Sequence, residues 1–396
     1  MTEKEFQHRL TQRLRPLYMT QFFQGFVLWY AIEKVFMQSI GLSNGAIALE
    51  TVLFTAAMLV ANIPFGVLAD RWSRKGVLAI GGMALIASSV VCGLSNDFWQ
   101  YVVGGICWGL FYAAANGTYD SVVYDTLLEE TGRAEAFERY YGRVQLYDSI
   151  ALVAGSLLSA VVTHFGGLRA AYFWTVPFAG CSIVAISLFH EPTLHRKETA
   201  LVMGAHLKAT FKAIARRGQV FWIVATMILI GATMRIMFEL DQLWLIAVAL
   251  PLALYGPVNA LLLTGIGLSG PLANRAKHSR FAILLVGVGV LAATCSLLTH
   301  VRLLIIAAEF GLFAGLIALN IILGRFLHDS MPSNIRAGAS SVVTTLGYLL
   351  FLPLGLLFGF VSSHSGVFRA AWIVIAVVGV ACVTLFRVVM PPASAD

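Results

Sequence analysis

Ionisable side chains are rare inside the long apolar stretches of the sequence, and five of them are candidates for chemistry. Glu33 and Lys34 are adjacent, Arg235 and Glu239 are four residues apart, and Glu309 stands alone. A spacing of four places Arg235 and Glu239 one turn apart on one face of a helix. Burying an unpaired charge in an apolar medium costs several kcal/mol. We therefore predict that these residues either form static ion pairs or couple and gate the movement of protons.

The composition indicates a protein made of apolar helices in a membrane. Hydrophobic residues make up 59% of the 396 residues and charged residues 12%, and the mean hydropathy is +0.81. Apolar runs of roughly 20 residues recur, which is the length that a helix needs to cross a bilayer. Basic loops explain the net charge of +7, so no nucleic-acid partner is expected. The five cysteines lie in apolar runs without paired spacing, which predicts neither disulfides nor a metal site.

The chain is predicted to be an all-α integral membrane protein with twelve transmembrane helices in two six-helix bundles related by a pseudo-two-fold repeat. The bundles would occupy residues 1–190 and 220–396, joined by a cytoplasmic linker over 191–219 that contains an amphipathic helix. Lys and Arg concentrate in the longer loops, which places both termini in the cytoplasm. The predicted helices cover residues 17–40, 46–68, 76–95, 98–118, 145–164, 170–190, 220–243, 253–273, 281–299, 303–323, 337–361 and 366–388.

A charged loop separates the second and third predicted helices, and three of its four charges are basic. A tight turn of this kind belongs at the cytoplasmic surface. A degenerate copy follows at a shift of 204 residues (270 − 66), and Asp125 aligns with Asp329 at the same shift (329 − 125 = 204). Two motifs with one offset predict a duplicated six-helix unit. The loop residues are Gly66, Asp70, Arg71, Arg74 and Lys75, and those of the copy are Gly270, Asn274 and Arg275.

The loop pattern Gly-x-x-x-Asp-Arg-x-x-Arg-Lys resembles the signature of the major facilitator superfamily, and the twelve helices with a central linker extend the resemblance along the chain. The segment Tyr124-Asp125-Thr126-Leu127 is similar to a bacterial branch of poorly characterised members with Tyr-Asp-Ser/Thr-Leu after helix 4. The resemblance implies two bundles that rock around a central cavity lined by helices 1, 4, 7 and 10. It also implies that Asp70 caps a neighbouring helix start, pairs with arginine and holds the cytoplasmic side shut.

In that arrangement the buried charges would face the cavity. The helical rise places Glu33 and Arg235 both roughly 23–24 Å above the inner ends of their helices, which predicts a pair between them. Lys34 and Glu309 both lie roughly 9–10 Å from the outer surface by the same arithmetic. A carboxylate can exchange a cationic partner for a proton. Glu33 is therefore the first choice of proton carrier, followed by Glu309 and then Glu239.

An aromatic stripe on helix 1 ends at Glu33 and suits an amphiphilic or cationic organic ligand. Side chains spaced by four on helix 4 would complete the same wall. The alternative is ordinary packing, which such stripes more often represent. The predicted cavity residues are Phe26, Trp29, Tyr30, Trp108, Tyr112 and Asn116.

These features predict a secondary active transporter that moves a small organic solute across the cell inner membrane by alternating access. We expect proton coupling, with efflux favoured over uptake, and a monomer whose partners are the lipid bilayer, the solute and protons, with no cofactor. One alternative is an uptake symporter for a nutrient or metabolite. Another, from a different class, is a non-transporting membrane sensor or enzyme on the same scaffold. The apolar runs carry no recognisable nucleophile–base pair or metal cluster, so an enzyme is not predicted.

Overall fold

The computed structural model describes residues 3–131, 136–192, 218–331 and 336–390, and within these ranges the regular structure is helical, with no strand. One short 3-10 segment, Leu28–Ile32, interrupts the α-helices near the start of the chain. The α-helices are α1 (Glu3–Gly25), α2 (Glu33–Ser39), α3 (Asn44–Arg71), α4 (Arg74–Leu94), α5 (Phe98–Ala115), α6 (Thr118–Thr131), α7 (Phe137–Ser187), α8 (Gly218–Leu240), α9 (Gln242–Ala247), α10 (Leu252–Ala276), α11 (Arg280–Ser296), α12 (Arg302–Ser330), α13 (Arg336–Ser365) and α14 (Val367–Val389).

Eight helices in the described part of the chain are long and apolar enough to cross a membrane, and α11 is a shorter apolar helix. One of the eight is α7, whose 51 residues contain a break at Gly167, with φ 75° and ψ 177°. A residue with a Cβ rarely adopts such a positive φ, so glycine permits the turn between the two helical arms. The arms correspond to the predicted helices 145–164 and 170–190. The chain is thus a multi-spanning helical membrane protein, and the count of twelve stays a prediction.

The first predicted helix, 17–40, is not continuous. After Gly25 the chain leaves the α-helix, forms the 3-10 segment and resumes as α2 at Glu33. The Leu28 N–H donates to the Thr175 hydroxyl at 3.1 Å, which satisfies a backbone donor that the broken helix leaves open. The predicted helix 17–40 is therefore interrupted in the structure, where the Leu28 N–H has a tertiary partner instead of a helical one.

Polar residues begin several helices as N-caps. Ser73 accepts a hydrogen bond from the Gly76 N–H at the start of α4, and Asp97 accepts one from the Gln100 N–H at the start of α5. The Ser279 side chain does the same at the start of α11. An N-cap of this kind satisfies one of the backbone donors that the first helical turn leaves open. These caps fix where the membrane helices begin.

The chain divides into two compact units. Unit 1 comprises Met1–Gly41, Leu53–Glu198 and Pro251–Ala260, and unit 2 comprises Leu42–Val52, Thr199–Leu250 and Leu261–Asp396. The predicted domain bounds of 1–190, 191–219 and 220–396 stay a prediction. A buried cluster in unit 1 joins α1, α4, α6 and α7, and its residues are Leu10, Leu14, Leu17, Tyr18, Leu78, Tyr119, Val122, Val123, Leu127, Tyr140, Val144, Ile186 and Phe189.

Candidate functional site

Arg74 connects the charged loop of unit 1 to α6. Its guanidinium forms an ion pair with Asp125, and it donates a hydrogen bond to the Ser121 carbonyl at 3.3 Å. Asp70 lies 3.5 Å from the same guanidinium, at the limit of a hydrogen bond. The side chains of Arg74 and Asp125 are 18% and 13% exposed, so water screens their attraction only partly. The Tyr-Asp-Thr segment and the loop motif therefore meet at one arginine.

Glu191, which follows α7, closes the start of α4. Its carboxylate accepts hydrogen bonds from the Ser73 hydroxyl at 2.6 Å and from the Arg74 N–H at 2.6 Å. A carboxylate at a helix N-terminus is favoured by the open N–H groups and by the helix dipole. Lys75 binds the C-terminal end of α7. Its ammonium donates to the Ser187 carbonyl at 2.5 Å and to the Phe189 carbonyl at 2.9 Å. These contacts bind α4 to the C-terminal end of α7.

Ser73 and Glu191 make the cap at the start of α4, and the predicted cap by Asp70 of a neighbouring helix start stays a prediction. The Asp70 side chain is 59% exposed, and Arg74 is its ion-pair partner among the described residues. A gating role for Asp70 stays a prediction. Gly66 and Arg71 of the same loop are also exposed.

The copy of the loop in unit 2 lacks the buried contact of unit 1. Gly270, Asn274 and Arg275 are all exposed. Asp329, the counterpart of Asp125, pairs with Arg325 of its own helix at 3.6 Å, and these two side chains are 67% and 57% exposed. At the common shift, His278 stands where unit 1 has Arg74 (278 − 74 = 204). The repeat thus keeps the aspartate, as Asp329, but has His278 in place of Arg74, the arginine that pairs with Asp125 in unit 1.

Glu33 and Lys34 form a buried ion pair at the start of α2. The Lys34 ammonium lies 2.7 Å from Glu33 Oε2, and the side chains of Lys34 and Glu33 are 1% and 7% exposed. The Tyr101 hydroxyl of α5 donates to Glu33 Oε1 at 3.2 Å and lies 2.9 Å from the Tyr172 hydroxyl. This carboxylate is therefore held by a charge and a hydroxyl inside unit 1.

The aromatic stripe is partly core packing. Trp29 is 1% exposed, stacks on Tyr172 with ring centroids 5.2 Å apart, and donates its indole N–H to Ser89 at 3.1 Å. Trp108 is 4% exposed and packs edge-on against Trp29 at 4.8 Å. The prediction that these two tryptophans line a ligand cavity is corrected, because their own neighbours cover them. The remaining predicted cavity residues, which keep exposed surface and stay predictions, are Phe26, Tyr30, Tyr112 and Asn116.

In unit 2, Arg235 and Glu239 form an ion pair within one helix. The two side chains approach to 3.0 Å on α8 and are 11% and 3% exposed. The guanidinium carbon also lies 5.3 Å from the centre of the Tyr348 ring, a distance suited to a cation–π contact. The predicted pair of Glu33 with Arg235 joins residues of different units and stays a prediction, as does that of Lys34 with Glu309.

Glu309 on α12 differs from the other buried carboxylates. Its side chain is 0% exposed, and neither carboxylate oxygen has a hydrogen-bond partner among the described residues. Asp241, 4% exposed, acts on it electrostatically from within unit 2, while its own Oδ1 accepts the Gln242 N–H at 2.7 Å. Its position inside an apolar run singled out Glu309 in the sequence. The sequence did not reveal that its carboxyl group has no hydrogen-bond partner among the described residues.

Residues that could hold a metal ion are not grouped in the described ranges, where no cluster of three or more His, Cys, Asp or Glu side chains is found. The five cysteines are free thiols. Among the described residues, the polar groups discussed above form ion pairs and helix caps, and Glu309 carries a carboxyl group without a hydrogen-bond partner. They are arrangements that hold helices together, or that can exchange a proton, within an apolar protein.

A many-helix apolar protein with charged loops and buried ion pairs is a polytopic membrane protein. The sequence model of the Major Facilitator Superfamily matches residues 16–352 of this chain. Because the match covers well over half of the sequence, the chain belongs to this family of membrane transporters. The narrower branch suggested by Tyr124-Asp125-Thr126-Leu127 stays a prediction.

Curated relatives match shorter stretches. The inner membrane transport protein YajR of Escherichia coli K12 is 25% identical over 173 residues, 42% of this chain and 36% of its own length. The multidrug resistance protein MdtL of Escherichia coli O157:H7 is 26% identical over 137 residues, 35% of this chain and 34% of its own length. The aligned region thus spans about a third of the length of these relatives.

Solved structures match over nearly the whole chain. A mutant of the nucleoside transporter NupG superposes with a TM-score of 0.76 at 14% identity, covering 96% of this chain and 98% of that one. A D-xylose-proton symporter gives a TM-score of 0.67 at 13% identity, covering 94% and 97%. At such low identity these similarities establish the fold alone.

Proposed function

We propose that this protein is a proton-coupled secondary transporter of a small organic solute, working by alternating access, in which Glu309 carries the proton. The observation on which the proposal rests is the complete burial of Glu309 without a hydrogen-bond or ion-pair partner among the described residues. Membership of the Major Facilitator Superfamily supports the transport function.

Burial favours a neutral carboxyl group at Glu309. Moving an isolated carboxylate out of water costs several kcal/mol, and a nearby carboxylate such as Asp241 adds repulsion. A carboxyl group that is neutral when enclosed and ionised when hydrated takes up and releases a proton as the protein changes state. This is the property that proton coupling requires.

Glu33, the first choice from the sequence, fits this role less well. Its carboxylate already has two partners, the Lys34 ammonium at 2.7 Å and the Tyr101 hydroxyl at 3.2 Å. The same holds for Glu239, which pairs with Arg235 at 3.0 Å. We therefore assign these two carboxylates to ion pairs that hold the helices, and Glu309 to the proton.

The names of similar proteins support the proposed direction of transport and the proposed class of solute. MdtL is named a multidrug resistance protein, and FfsH of Aspergillus flavipes, 24% identical over 177 residues, is named an efflux transporter. We propose efflux of an amphiphilic or cationic compound, with Phe26, Tyr30 and Tyr112 offering aromatic surface to it. The site would lie on the path between the cytoplasm and the outside.

Uptake is the second candidate, because one structurally similar protein is a D-xylose-proton symporter. The two directions differ in how they use a proton gradient. In an exchanger, protons and solute move in opposite directions, whereas in a symporter they move together. A sensor or enzyme on the same scaffold would move no solute in either direction.

The test uses the purified protein in proteoliposomes with ethidium, uridine and D-xylose as probes, each with and without an imposed pH gradient. We expect the gradient to drive ethidium, and we expect Glu309→Gln to abolish that drive while leaving exchange of labelled for unlabelled ethidium intact. The matched control is Glu33→Gln combined with Lys34→Met, which removes an ion pair without leaving a charge behind.

Each outcome decides between the candidates. Gradient-driven accumulation of uridine or D-xylose, with ethidium inert, would establish uptake instead of efflux. If Glu309→Gln still responds to the gradient, Glu309 is not the proton carrier. If no probe moves at any gradient while the protein remains folded, the transport proposal loses its support for these three solute classes.

A further inference from the structure

A groove runs along unit 1 between the cytoplasmic half of α1 and the last two turns of α7. It has a volume of about 420 Å³. Its walls come from both helices, with residues at helical spacing on each, so that one continuous face is formed. The lining residues are Gln12, Arg15, Pro16, Met19, Phe23, Cys181, Val184, Ala185 and Leu188.

The walls of the groove are apolar and open to their surroundings. Val184 is 62% exposed and Leu188 is 65% exposed, although Val184 belongs to a helix that crosses the membrane and Leu188 follows its last residue. Met19 and Phe23 on α1 are only partly covered. Exposed apolar side chains at this depth meet lipid chains rather than water.

The end of the groove lies at the level of the cytoplasmic headgroups. Lys75 donates to carbonyls at the C-terminal end of α7, which sets that end among the charged loops. On α1, Arg13 pairs with Glu129 and Glu130, which belong to the cytoplasmic end of α6. From Leu188 the groove descends to Cys181, seven residues or about 10 Å deeper along the helix.

Arg15 provides a positive charge at this end. Its neighbour Arg13 has two carboxylate partners, whereas Arg15 has no ion pair or hydrogen bond with any residue in the described ranges. None of the described residues that line the groove is acidic. An unpaired guanidinium above an apolar channel matches a phosphate attached to a hydrocarbon chain, because arginine forms paired hydrogen bonds with phosphate oxygens.

We propose that this groove binds an anionic phospholipid of the cytoplasmic leaflet, with the phosphate on Arg15 and one acyl chain along Met19, Phe23, Val184 and Leu188. The absence of carboxylates from its lining disfavours an amine-bearing headgroup, which would need an acidic partner. The site is independent of the proposed transport of a solute, since none of its residues belongs to the proton-carrying or ion-pair clusters.

Native mass spectrometry of the delipidated protein tests the proposal. The protein is mixed with equal amounts of phosphatidylglycerol and phosphatidylcholine that carry the same acyl chains. We expect the first bound lipid to favour phosphatidylglycerol roughly tenfold, the factor that one charge-assisted hydrogen bond supplies. Arg15→Gln should remove that preference, and Arg15→Lys should keep part of it. Arg280, an exposed arginine at the start of α11, supplies the matched control Arg280→Gln, which should behave as the unmodified protein.

Cys181 provides a second measurement inside the groove, in a protein that retains Arg15. In a variant with Cys107, Cys295 and Cys382 replaced by alanine, Cys181 is the exposed thiol and Cys92 stays buried. We expect phosphatidylglycerol to slow the reaction of Cys181 with a small thiol reagent at least threefold, which corresponds to a free-energy difference of about RT. Glycerol phosphate should leave the rate unchanged.

Three results would overturn the proposal. The first is an equal preference for phosphatidylglycerol in Arg15→Gln and Arg280→Gln. The second is a Cys181 labelling rate that phosphatidylglycerol does not change. The third is protection by glycerol phosphate alone, which would make the groove a site for a free anion and not for a lipid.

Discussion

The Arg74 guanidinium forms an ion pair with Asp125 and so joins the charged loop to the Tyr-Asp-Thr segment of α6. The sequence shows these as two separate motifs, and the structure shows that they make one contact. Ser73 and Glu191 complete the arrangement by capping the helix that Arg74 begins. The end of unit 1 that carries the charged loop is thereby held by charge-assisted hydrogen bonds between its helices.

Replacing Arg74 by Gln should destabilise unit 1. The change removes the ion pair with Asp125 and leaves that carboxylate, 13% exposed, without a cation. Hydrogen bonds to charged groups contribute about 1.5–3 kcal/mol, so we expect a loss of about 2 kcal/mol in the free energy of unfolding. Equilibrium unfolding in detergent measures the loss.

The control for that measurement is Arg71→Gln in the same loop, where the side chain is exposed and the change should cost less than about 0.5 kcal/mol. A double-mutant cycle with Asp125→Asn should give a coupling energy above about 1 kcal/mol. Additive effects of Arg74→Gln and Asp125→Asn would show that the ion pair contributes nothing to stability.

Replacing Glu191 by Ala should loosen the start of α4. The Arg74 N–H and the Ser73 hydroxyl would lose their acceptor, which is the loss that removal of a helix cap causes. Such a loss costs about 1–2 kcal/mol. Amide hydrogen exchange in the first turn of α4 should speed up, while the middle of α4 stays protected. Glu138, in the first turn of α7, offers the matched change Glu138→Ala, and equal exchange rates in both variants would contradict the cap.

The sequence predicted the apolar helices and the loop motif, because these depend on periodicity and on residues close in the chain. It placed Arg235 and Glu239 one helical turn apart but predicted Glu33 as the partner of Arg235, whereas in the structure Arg235 pairs with Glu239. It did not predict the break between Gly25 and Glu33, since the Leu28 N–H finds its acceptor on Thr175, far along the chain. Long-range partners of this kind leave no pattern in the local sequence.

The same limit explains the outcome for the candidate site. Trp29 and Trp108 have the spacing of a ligand wall, but spacing does not say whether a helix face meets a cavity or another helix, and here they pack together. The capping role of Glu191 was not predicted because its partners, Ser73 and Arg74, precede it by more than a hundred residues. Glu309 stood out by its type, although only its surroundings distinguish it from Glu33.

Cysteine labelling should fix which face of the membrane each loop occupies. The basic loop residues place Arg71 in the cytoplasm. Arg169 donates to the Gly93 and Ser95 carbonyls and to the Asn96 side chain, so Asn96 lies in an ordered loop at the other end of α4. In a background without exposed native thiols, Arg71→Cys should react only with reagent on the cytoplasmic side, and Asn96→Cys only from outside. The reverse pattern would overturn the topology.

Glu33 and Glu309 should respond differently to replacement by glutamine. Glu33→Gln leaves the Lys34 ammonium, 1% exposed, without its carboxylate, so we expect a loss of about 3 kcal/mol in the free energy of unfolding. Glu309 has no partner to lose among the described residues, and Glu309→Gln exchanges the proposed protonated carboxyl group for an amide of similar size, so we expect a change below about 1 kcal/mol.

Equilibrium unfolding of both variants in the same detergent near pH 7 compares the two losses. Glu33→Gln combined with Lys34→Met should recover much of the stability that Glu33→Gln loses, because replacing a buried ion pair with apolar groups removes both desolvation penalties. If Glu309→Gln proves as destabilising as Glu33→Gln, the Glu309 carboxyl group is charged and paired in the folded protein. It would then be a structural ion-pair residue, and the proton would have to be carried elsewhere.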